Sequence, residues 1–217
     1  MKRWIACAAV ALAACAAQAQ PAPTAPDELV KTVMLEIVEI IKKDKDIRDG
    51  DRAKTISLIE EKALPHFNFL GMTALAVGPS WQKATPEQKK RLAQEFRNLL
   101  VRTYASSITV FREYNLDFRP LKMKPADTDV TVLVRVMQQG AQPVNIEYDM
   151  EKTPRGWKVY DVRVAGISLV VNYRTEFANV VRDNGIDGLI NTLAAKNKSL
   201  ASTPTSAATS TPAAAKK

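Results

Sequence analysis

Three consecutive segments in the second half of the chain alternate apolar and polar residues, and only short turns separate them. They run from 130 to 136, from 144 to 150 and from 156 to 164. A period of two residues is typical of strands with one buried face, and short connections between successive strands require antiparallel pairing. A weaker strand over 115–123 precedes them. The sequence therefore predicts a four-stranded antiparallel sheet, which cannot close into a barrel and needs helices over its apolar face.

The last predicted strand leads directly into a helical segment. Tyr160, Val162 and Val164 are expected on its apolar face, together with the valines of the neighbouring strands. Ala165-Gly166 then predicts a turn, after which apolar residues recur at helical spacing. This stretch joins the sheet to the helices that cover it.

Helical periodicity predicts six segments that can cover the sheet. Their approximate ranges are 27–45, 51–64, 67–77, 85–112, 168–183 and 186–196. The strongest start signal is Thr85-Pro86-Glu87-Gln88, which combines a capping box with proline at the first helical position. Asn184-Gly185 predicts a left-handed stop between the last two segments. The predicted fold class is α+β, with about six to seven helices over the sheet.

The N-terminal residues have the three parts of a secretory signal peptide, predicted to span 1–19. Lys2-Arg3 is the positive region, an apolar region follows, and Ala17-Gln18-Ala19 fits a cleavage site. The mature protein is therefore expected in a bacterial periplasm, with Cys7 and Cys15 removed. Residues 12–15 also fit a lipoprotein processing box, so a lipid anchor at Cys15 is the alternative.

The remaining chain is predicted to hold one folded domain between two unstructured segments. Residues 20–26, rich in Pro and Ala, form a linker, and the domain spans 27–198. Residues 199–217 consist of Ala, Ser, Thr, Pro, Leu and Lys, a composition that predicts disorder. The formal charge of +8 includes lysines and arginines of both ends, so the domain is mildly basic. That charge fits a solvated surface, or weak attraction to anionic lipid or an acidic partner.

The sequence offers few groups for catalysis or metal binding. His66 is the single histidine of the chain and is expected to pack at a helix end. The signatures of phosphate-binding loops, nucleophile elbows and dinucleotide sites are absent from the sequence. Asp161 is expected on the polar sheet face, paired with an arginine such as Arg163 or Arg174. We therefore predict that the protein is not an enzyme and uses no metal or cofactor.

The apolar sheet face leaves two structures open. Its residues can meet the helices in an ordinary solid core. Alternatively, a stiff wall of β-branched side chains can stand apart from the helices and enclose an apolar pocket. The sequence pattern alone does not separate these two arrangements.

Several motifs resemble those of the MlaC family, the periplasmic phospholipid carriers also known as toluene-tolerance auxiliary components. The motifs in the second half are Gly156 to Val162, Gly166 to Val170, Asn172 to Arg174, Phe177, Gly185, Asp187 to Ile190 and Lys196-Asn197. Those in the first half are Phe67-Asn68-Phe69, Leu75, Gly78, Trp81, Thr85 to Gln88, Phe96, Leu99-Leu100 and Arg102 to Tyr104. The resemblance covers roughly 30–197. Asn68 and Ala165 depart from it, since an acid is common at both positions.

The resemblance implies a deep apolar cavity that takes the acyl chains of a phospholipid as cargo. It also implies transfer of that lipid between an outer-membrane lipoprotein–porin complex and an inner-membrane ABC transporter with a hexameric lipid-binding ring. We expect the sheet side of the cavity to be lined by Val132, Val134, Val136, Val144, Ile146, Tyr148, Tyr160 and Val162. The expected helix side comprises Leu99, Tyr104, Val170 and Tyr173.

Two other functions remain open on the sequence. The first is a periplasmic adaptor with a solid core, which bridges membrane complexes without carrying lipid. The second is an enzyme on a cone-shaped, NTF2-like α+β fold. That enzyme would need a buried Asp–His or Asp–Tyr pair facing a pocket, for which His66 and Asp161 are the candidates.

Overall fold

The computed structural model describes residues 24–138 and 140–202. Within these residues, the α-helices are α1 (Pro26–Lys43), α2 (Lys45–Arg48), α3 (Arg52–Lys62), α4 (Phe69–Val77), α5 (Pro86–Ile108) and α6 (Arg174–Ser202). Short 3-10 segments are Leu64–His66, Gly78–Lys83, Thr109–Glu113 and Val171–Tyr173. The predicted signal peptide lies outside the described residues. None of the described helices is both long enough and apolar enough to cross a bilayer.

One antiparallel sheet follows the chain order and confirms the predicted meander. Its strands are β1 (Asn115–Phe118), β2 (Asp129–Met137), β3 (Val144–Thr153), β4 (Gly156–Val164) and β5 (Ile167–Ser168). The sheet therefore has five described strands, and not the predicted four. The α+β fold class is confirmed.

The fifth strand arises from the turn at Ala165-Gly166. Both residues have positive φ, 51° and 80°, which is the conformation of a type I′ hairpin turn. The chain therefore folds back and pairs Arg163 with Ser168 before any helix begins. For this reason the last helix starts at Arg174, and the predicted start at Ser168 is wrong.

A β-bulge in β4 changes which of its side chains face inward. Asp149 lies opposite Asp161, but the next residue, Met150, lies opposite Val159, so Tyr160 is the extra residue. As a result Val159 packs with Val162 on the apolar face. The prediction that Tyr160 shares this face is wrong, because alternation skips one step at the bulge.

Helix α6 is interrupted at Gly185, as predicted from Asn184-Gly185. Gly185 has φ 69° and ψ −175°, outside the helical region. The capping box of α5 is also present, since the Gln88 amide donates to Thr85 Oγ1 and the Thr85 amide to Gln88 Oε1. Helix α6 continues to Ser202, beyond the predicted domain end at 198, and residues 203–217 lie outside the described chain.

The buried apolar residues form two main groups, which we call the helical cluster and the sheet cluster. The helical cluster joins α4, α5 and α6 and includes Met72, Leu92, Phe96, Leu99, Phe177 and Leu193. The sheet cluster joins α1 to the apolar sheet face and includes Val30, Val132, Val134, Met150, Trp157 and Val159. Phe67 contacts both clusters, so it lies where the helical layer meets the sheet.

Candidate functional site

The apolar face of the sheet is covered by helix α1. Val132, Val134 and Met150 on the sheet form one buried cluster with Val30 on α1, and Val134 is 0% exposed. Leu29 and Met34 widen the contact surface of the helix. The N-terminus of α1 is tied to the loop after β1, because the Leu121 amide donates to Asp27 Oδ2 at 3.4 Å. This α1–sheet interface is the region where the sequence predicts an apolar cavity.

The α1–sheet interface encloses a small apolar cavity of about 40 Å³. Its floor is buried and consists of Val30, Met150 and Val159, whereas its rim is partly exposed and consists of Leu29, Val33, Met34 and His66. Phe67 and Tyr148 complete the walls. Sites for drug-sized ligands usually measure ~300–1,000 Å³, so this space is far too small for two acyl chains. Among the described residues, the predicted deep cavity is therefore not open at the α1–sheet interface.

The predicted sheet-side residues fall into three groups. Val132, Val134, Tyr148 and Val162 belong to the sheet cluster, and Val136 and Ile146 are buried on the same face. Val144 lies at the margin of that face and is 39% exposed. Tyr160 is on the opposite face because of the bulge. The structure thus brings six of the eight residues together, leaves Val144 at the edge and separates Tyr160.

The predicted helix-side residues lie in the helical cluster and not in the sheet cluster. Leu99, Tyr104, Val170 and Tyr173 all belong to the helical cluster. The Tyr173 ring lies 5.3 Å from the Phe96 ring and 5.5 Å from the Phe177 ring, measured between centroids. The residues that pack against this sheet face are instead on α1, at Phe67 and in the loop after β1, at Leu121 and Met123. The apolar stripe of α1 was the sequence signal for them, but periodicity does not tell which surface a helix covers.

Two titratable side chains line the cavity. The Tyr148 hydroxyl donates to the Met34 sulfur at 3.3 Å, and burial raises the pKa of that tyrosine above its ordinary value. Burial lowers the pKa of His66, the positive charge of Lys158 lowers it further, and Glu36 opposes the effect. These effects favour the uncharged form of His66.

Asp161 has a structural environment that excludes the predicted arginine partners. The Asp161 carboxylate accepts from its neighbour's amide, Val162 N, at 2.8 Å and from the Ser168 hydroxyl. Arg163 instead pairs with Glu147 and Asp149, at 3.0 and 2.9 Å. Burial raises the pKa of Asp161. It lies on the polar sheet face, away from His66, so these two groups do not form the acid–base pair that the enzyme alternative requires.

The segment that joins the helical layer to the sheet is held by Asn68. Its backbone amide donates to the Val159 carbonyl at 2.8 Å, and its side-chain Oδ1 caps α4 by accepting from Gly71 N at 3.1 Å. The Asn68 Nδ2 donates to Glu151 Oε1 on β3. Phe67 and Asn68 thus attach to the edge of β4, and the backbone of Phe67 is held beside the cavity.

A second, open groove of about 330 Å³ lies on the polar face of the sheet. Helix α4 and Trp81 form one wall, and Asp129, Glu151 and Tyr160 form the other. The Tyr160 hydroxyl donates to Asp129 Oδ1 at 3.1 Å, and burial together with this carboxylate raises the pKa of Tyr160 to about 12. Because its walls carry charges and hydrogen-bonding groups, this groove is unsuited to hydrocarbon chains.

Comparison with known proteins identifies the family. The sequence pattern of the family described as MlaC protein matches residues 31–195, which is most of the chain. The chain belongs to the MlaC family. The resemblance described from its sequence motifs is therefore confirmed.

Two curated relatives and one solved structure are similar to this MlaC family member. The intermembrane phospholipid transport system binding protein MlaC of Haemophilus influenzae is 22% identical over 62% of this chain. The toluene tolerance protein ttg2D of Pseudomonas putida is 27% identical over 49% of it. The matches span 64% and 49% of the lengths of these two relatives.

The solved structure is a phospholipid-binding protein from Ralstonia solanacearum, determined in complex with a phospholipid. It is 36% identical to this chain, with a TM-score of 0.73. The match covers 81% of this chain and 98% of the Ralstonia protein. The two proteins therefore share nearly the whole of their folded parts.

Proposed function

We propose that this protein binds a phospholipid, with the acyl chains between α1 and the apolar face of the sheet. The observation that carries the proposal is the 36% identity, over nearly its full length, to a protein solved with a bound phospholipid. The continuous apolar face behind α1 supports it, because Val132, Val134 and Met150 offer a wall without polar groups. Membership of the MlaC family points to the same function.

Binding of the lipid requires the α1–sheet interface to widen. Two acyl chains carry about 30 methylenes, and exposing each to water is unfavourable by ~0.8 kcal/mol, so complete cover is worth ~20 kcal/mol or more. The cavity of about 40 Å³ must therefore grow as the chains replace side chains of the protein. Met34 and Phe67 are the side chains to be displaced, since both line the cavity next to its partly exposed rim.

The proposal extends to carriage of the lipid between two membranes. The predicted signal peptide places the mature protein in the periplasm, where it would exchange lipid with an outer-membrane lipoprotein–porin complex and an inner-membrane ABC transporter. The name of the Haemophilus relative, an intermembrane phospholipid transport system binding protein, supports this role. The lipid is cargo and leaves chemically unchanged, so we propose no enzymatic activity.

The small volume of the cavity at the α1–sheet interface is the one observation that favours the alternative, an adaptor with a solid core. Purification from the periplasm without detergent, followed by native mass spectrometry and lipid extraction, distinguishes the two. The carrier should retain a diacyl phospholipid, or take one up from phosphatidylglycerol-containing vesicles. A protein that stays at its apo mass after both treatments would favour the adaptor and overturn the proposal.

A pair of substitutions tests the position of the lipid. Ile146→Glu puts a charge on the buried apolar face, whereas Met137→Glu puts the same charge at a 42% exposed position on the polar face. We expect Ile146→Glu to reduce co-purified phospholipid at least about fivefold and Met137→Glu to leave it unchanged, because an uncompensated buried charge is strongly unfavourable beside hydrocarbon. Circular dichroism establishes that both variants are folded. A folded Ile146→Glu protein with the normal lipid content would refute the assignment of this face.

A further inference from the structure

The hydroxyl of Tyr148 is a polar group in an otherwise apolar part of the α1–sheet interface. Tyr148 projects from β3 between its strand neighbours Val132 and Val162. Its hydroxyl bonds to the Met34 sulfur on α1, across the cavity. This contact links the two layers that must separate when a lipid enters.

The hydrogen bond between Tyr148 and Met34 is easily exchanged. A thioether sulfur is a weak acceptor, whereas a buried hydroxyl gains more from an oxygen acceptor. Methionine is also flexible, so its side chain can leave the site without disturbing the helix backbone. The Tyr148 hydroxyl is therefore held by a partner that an incoming carbonyl oxygen can replace.

The position of Tyr148 fits the polar linkage of a lipid better than its hydrocarbon tail. The cavity floor, at Val30, Met150 and Val159, is buried, and the Tyr148 hydroxyl is buried as well, but its hydrogen-bond partner Met34 belongs to the partly exposed rim. If the tail ends reach the floor, the start of each tail lies at the level of the rim. In a diacyl phospholipid that start is a carboxylic ester, whose carbonyl oxygen is a hydrogen-bond acceptor.

We propose that Tyr148 recognises the ester linkage of the bound lipid. When an acyl chain displaces Met34, the Tyr148 hydroxyl donates its hydrogen bond to an ester carbonyl oxygen at the cavity rim. The inference rests on the proposed function and deepens it, because it names a group that selects ester-linked over ether-linked lipids. Tyr148 is thus a specificity-determining residue, and Met34 occupies its hydroxyl while no lipid is bound.

The test compares two lipids that differ only at the linkage. Delipidated protein is titrated with dipalmitoyl phosphatidylcholine and with its dihexadecyl ether analogue, and the bound fraction is measured by native mass spectrometry. One neutral hydrogen bond predicts that the wild type prefers the ester lipid by about fivefold. Tyr148→Phe should bind the ether lipid as the wild type does and lose the preference for the ester.

Tyr160→Phe is the matched control. The Tyr160 hydroxyl bonds to Asp129 on the other face of the sheet, so its removal should leave the preference for the ester lipid unchanged. A wild type that binds both lipids equally, or a Tyr148→Phe protein that keeps the preference, overturns the inference while the proposed function stands. Failure of the wild type to bind either lipid overturns both. Thermal unfolding curves of both variants identify any general loss of stability.

Discussion

The contact of Asn68 with Glu151 is one of the links between the helical layer and the sheet, and a double-mutant cycle measures its contribution. The side-chain amide of Asn68 has two hydrogen-bond partners, one of which requires an acceptor and the other a donor. Its oxygen accepts from Gly71 N at the start of α4, and its nitrogen donates to the Glu151 carboxylate on β3. A carboxylate at position 68 can do the first but not the second. An acid at this position, which the resemblance to the family leads us to expect, would therefore face the Glu151 carboxylate here.

The expected size of the effect follows from three contributions. Asn68→Asp removes a hydrogen bond to a charged group, worth ~1.5–3 kcal/mol, and leaves two carboxylates facing each other, which adds about 1 kcal/mol at the dielectric constant of water. The negative charge introduced at the N-terminus of α4 stabilises the helix by ~0.3–1 kcal/mol and offsets part of this loss. We expect a net loss of about 2–3 kcal/mol in the free energy of unfolding. For a domain of this size that lowers Tm by about 4–12 °C.

The assay is urea unfolding at pH 7 of the wild type, Asn68→Asp, Glu151→Gln and the double variant. In the double variant the amide introduced at position 151 can donate to the carboxylate introduced at position 68, so the hydrogen bond is restored with the donor and acceptor exchanged. We expect the free energy of unfolding of the double variant to lie within about 1 kcal/mol of the wild-type value. The coupling energy between positions 68 and 151 is then well above the usual error. If the two single effects simply add, the described contact does not hold the layers together.

Two further predictions concern the turn after β4 and the single histidine. Ala165 has φ 51° in a type I′ turn, so Ala165→Asn should raise the free energy of unfolding by about 0.5–1 kcal/mol, whereas Ala165→Val should lower it. Calorimetry measures both changes. Equal effects of the two substitutions would contradict the turn assignment. Burial lowers the pKa of His66 in the folded state below 6.5. As the pH falls, His66 therefore binds a proton in the unfolded chain before it does so in the folded protein. For this reason the free energy of unfolding decreases below about pH 6.5. Between about pH 6.5 and 5, the free energy of unfolding of the His66→Asn variant should decrease less steeply with falling pH than that of the wild type. Identical slopes for the two proteins would show that His66 does not cause the decrease.

The sequence was sufficient for features that depend on local residue patterns. Alternation from 130 to 136 and short turns predicted the antiparallel order of the sheet, because each residue on a strand reports its own face. The capping box at Thr85 and the stop at Gly185 were also correct, since both depend on residues within one helical turn. These features need no knowledge of which elements meet.

The errors have specific physical causes. The bulge at Tyr160 inserts one residue against β3, and strand alternation carries no signal for such an insertion. The strand at Ile167 depends on a turn that holds Ala165 in the left-handed region. Residues with a Cβ atom disfavour that backbone conformation, so the sequence does not predict it. The cover of the sheet by α1, and not by the residues around Leu99 and Tyr173, is a matter of tertiary packing. Each helix had an apolar stripe, and the stripes alone did not assign partners.

The edge of β4 also bears on how this fold avoids fibril formation. The carbonyls of Val159 and Val162 already accept from the amides of Asn68 and Leu169, and the bulge lies between them. A strand edge that is occupied and distorted in this way is a poor template for a foreign strand. This protection does not depend on α1, because both donors lie outside that helix, so it also applies to the widening of the α1–sheet interface that we propose for lipid binding.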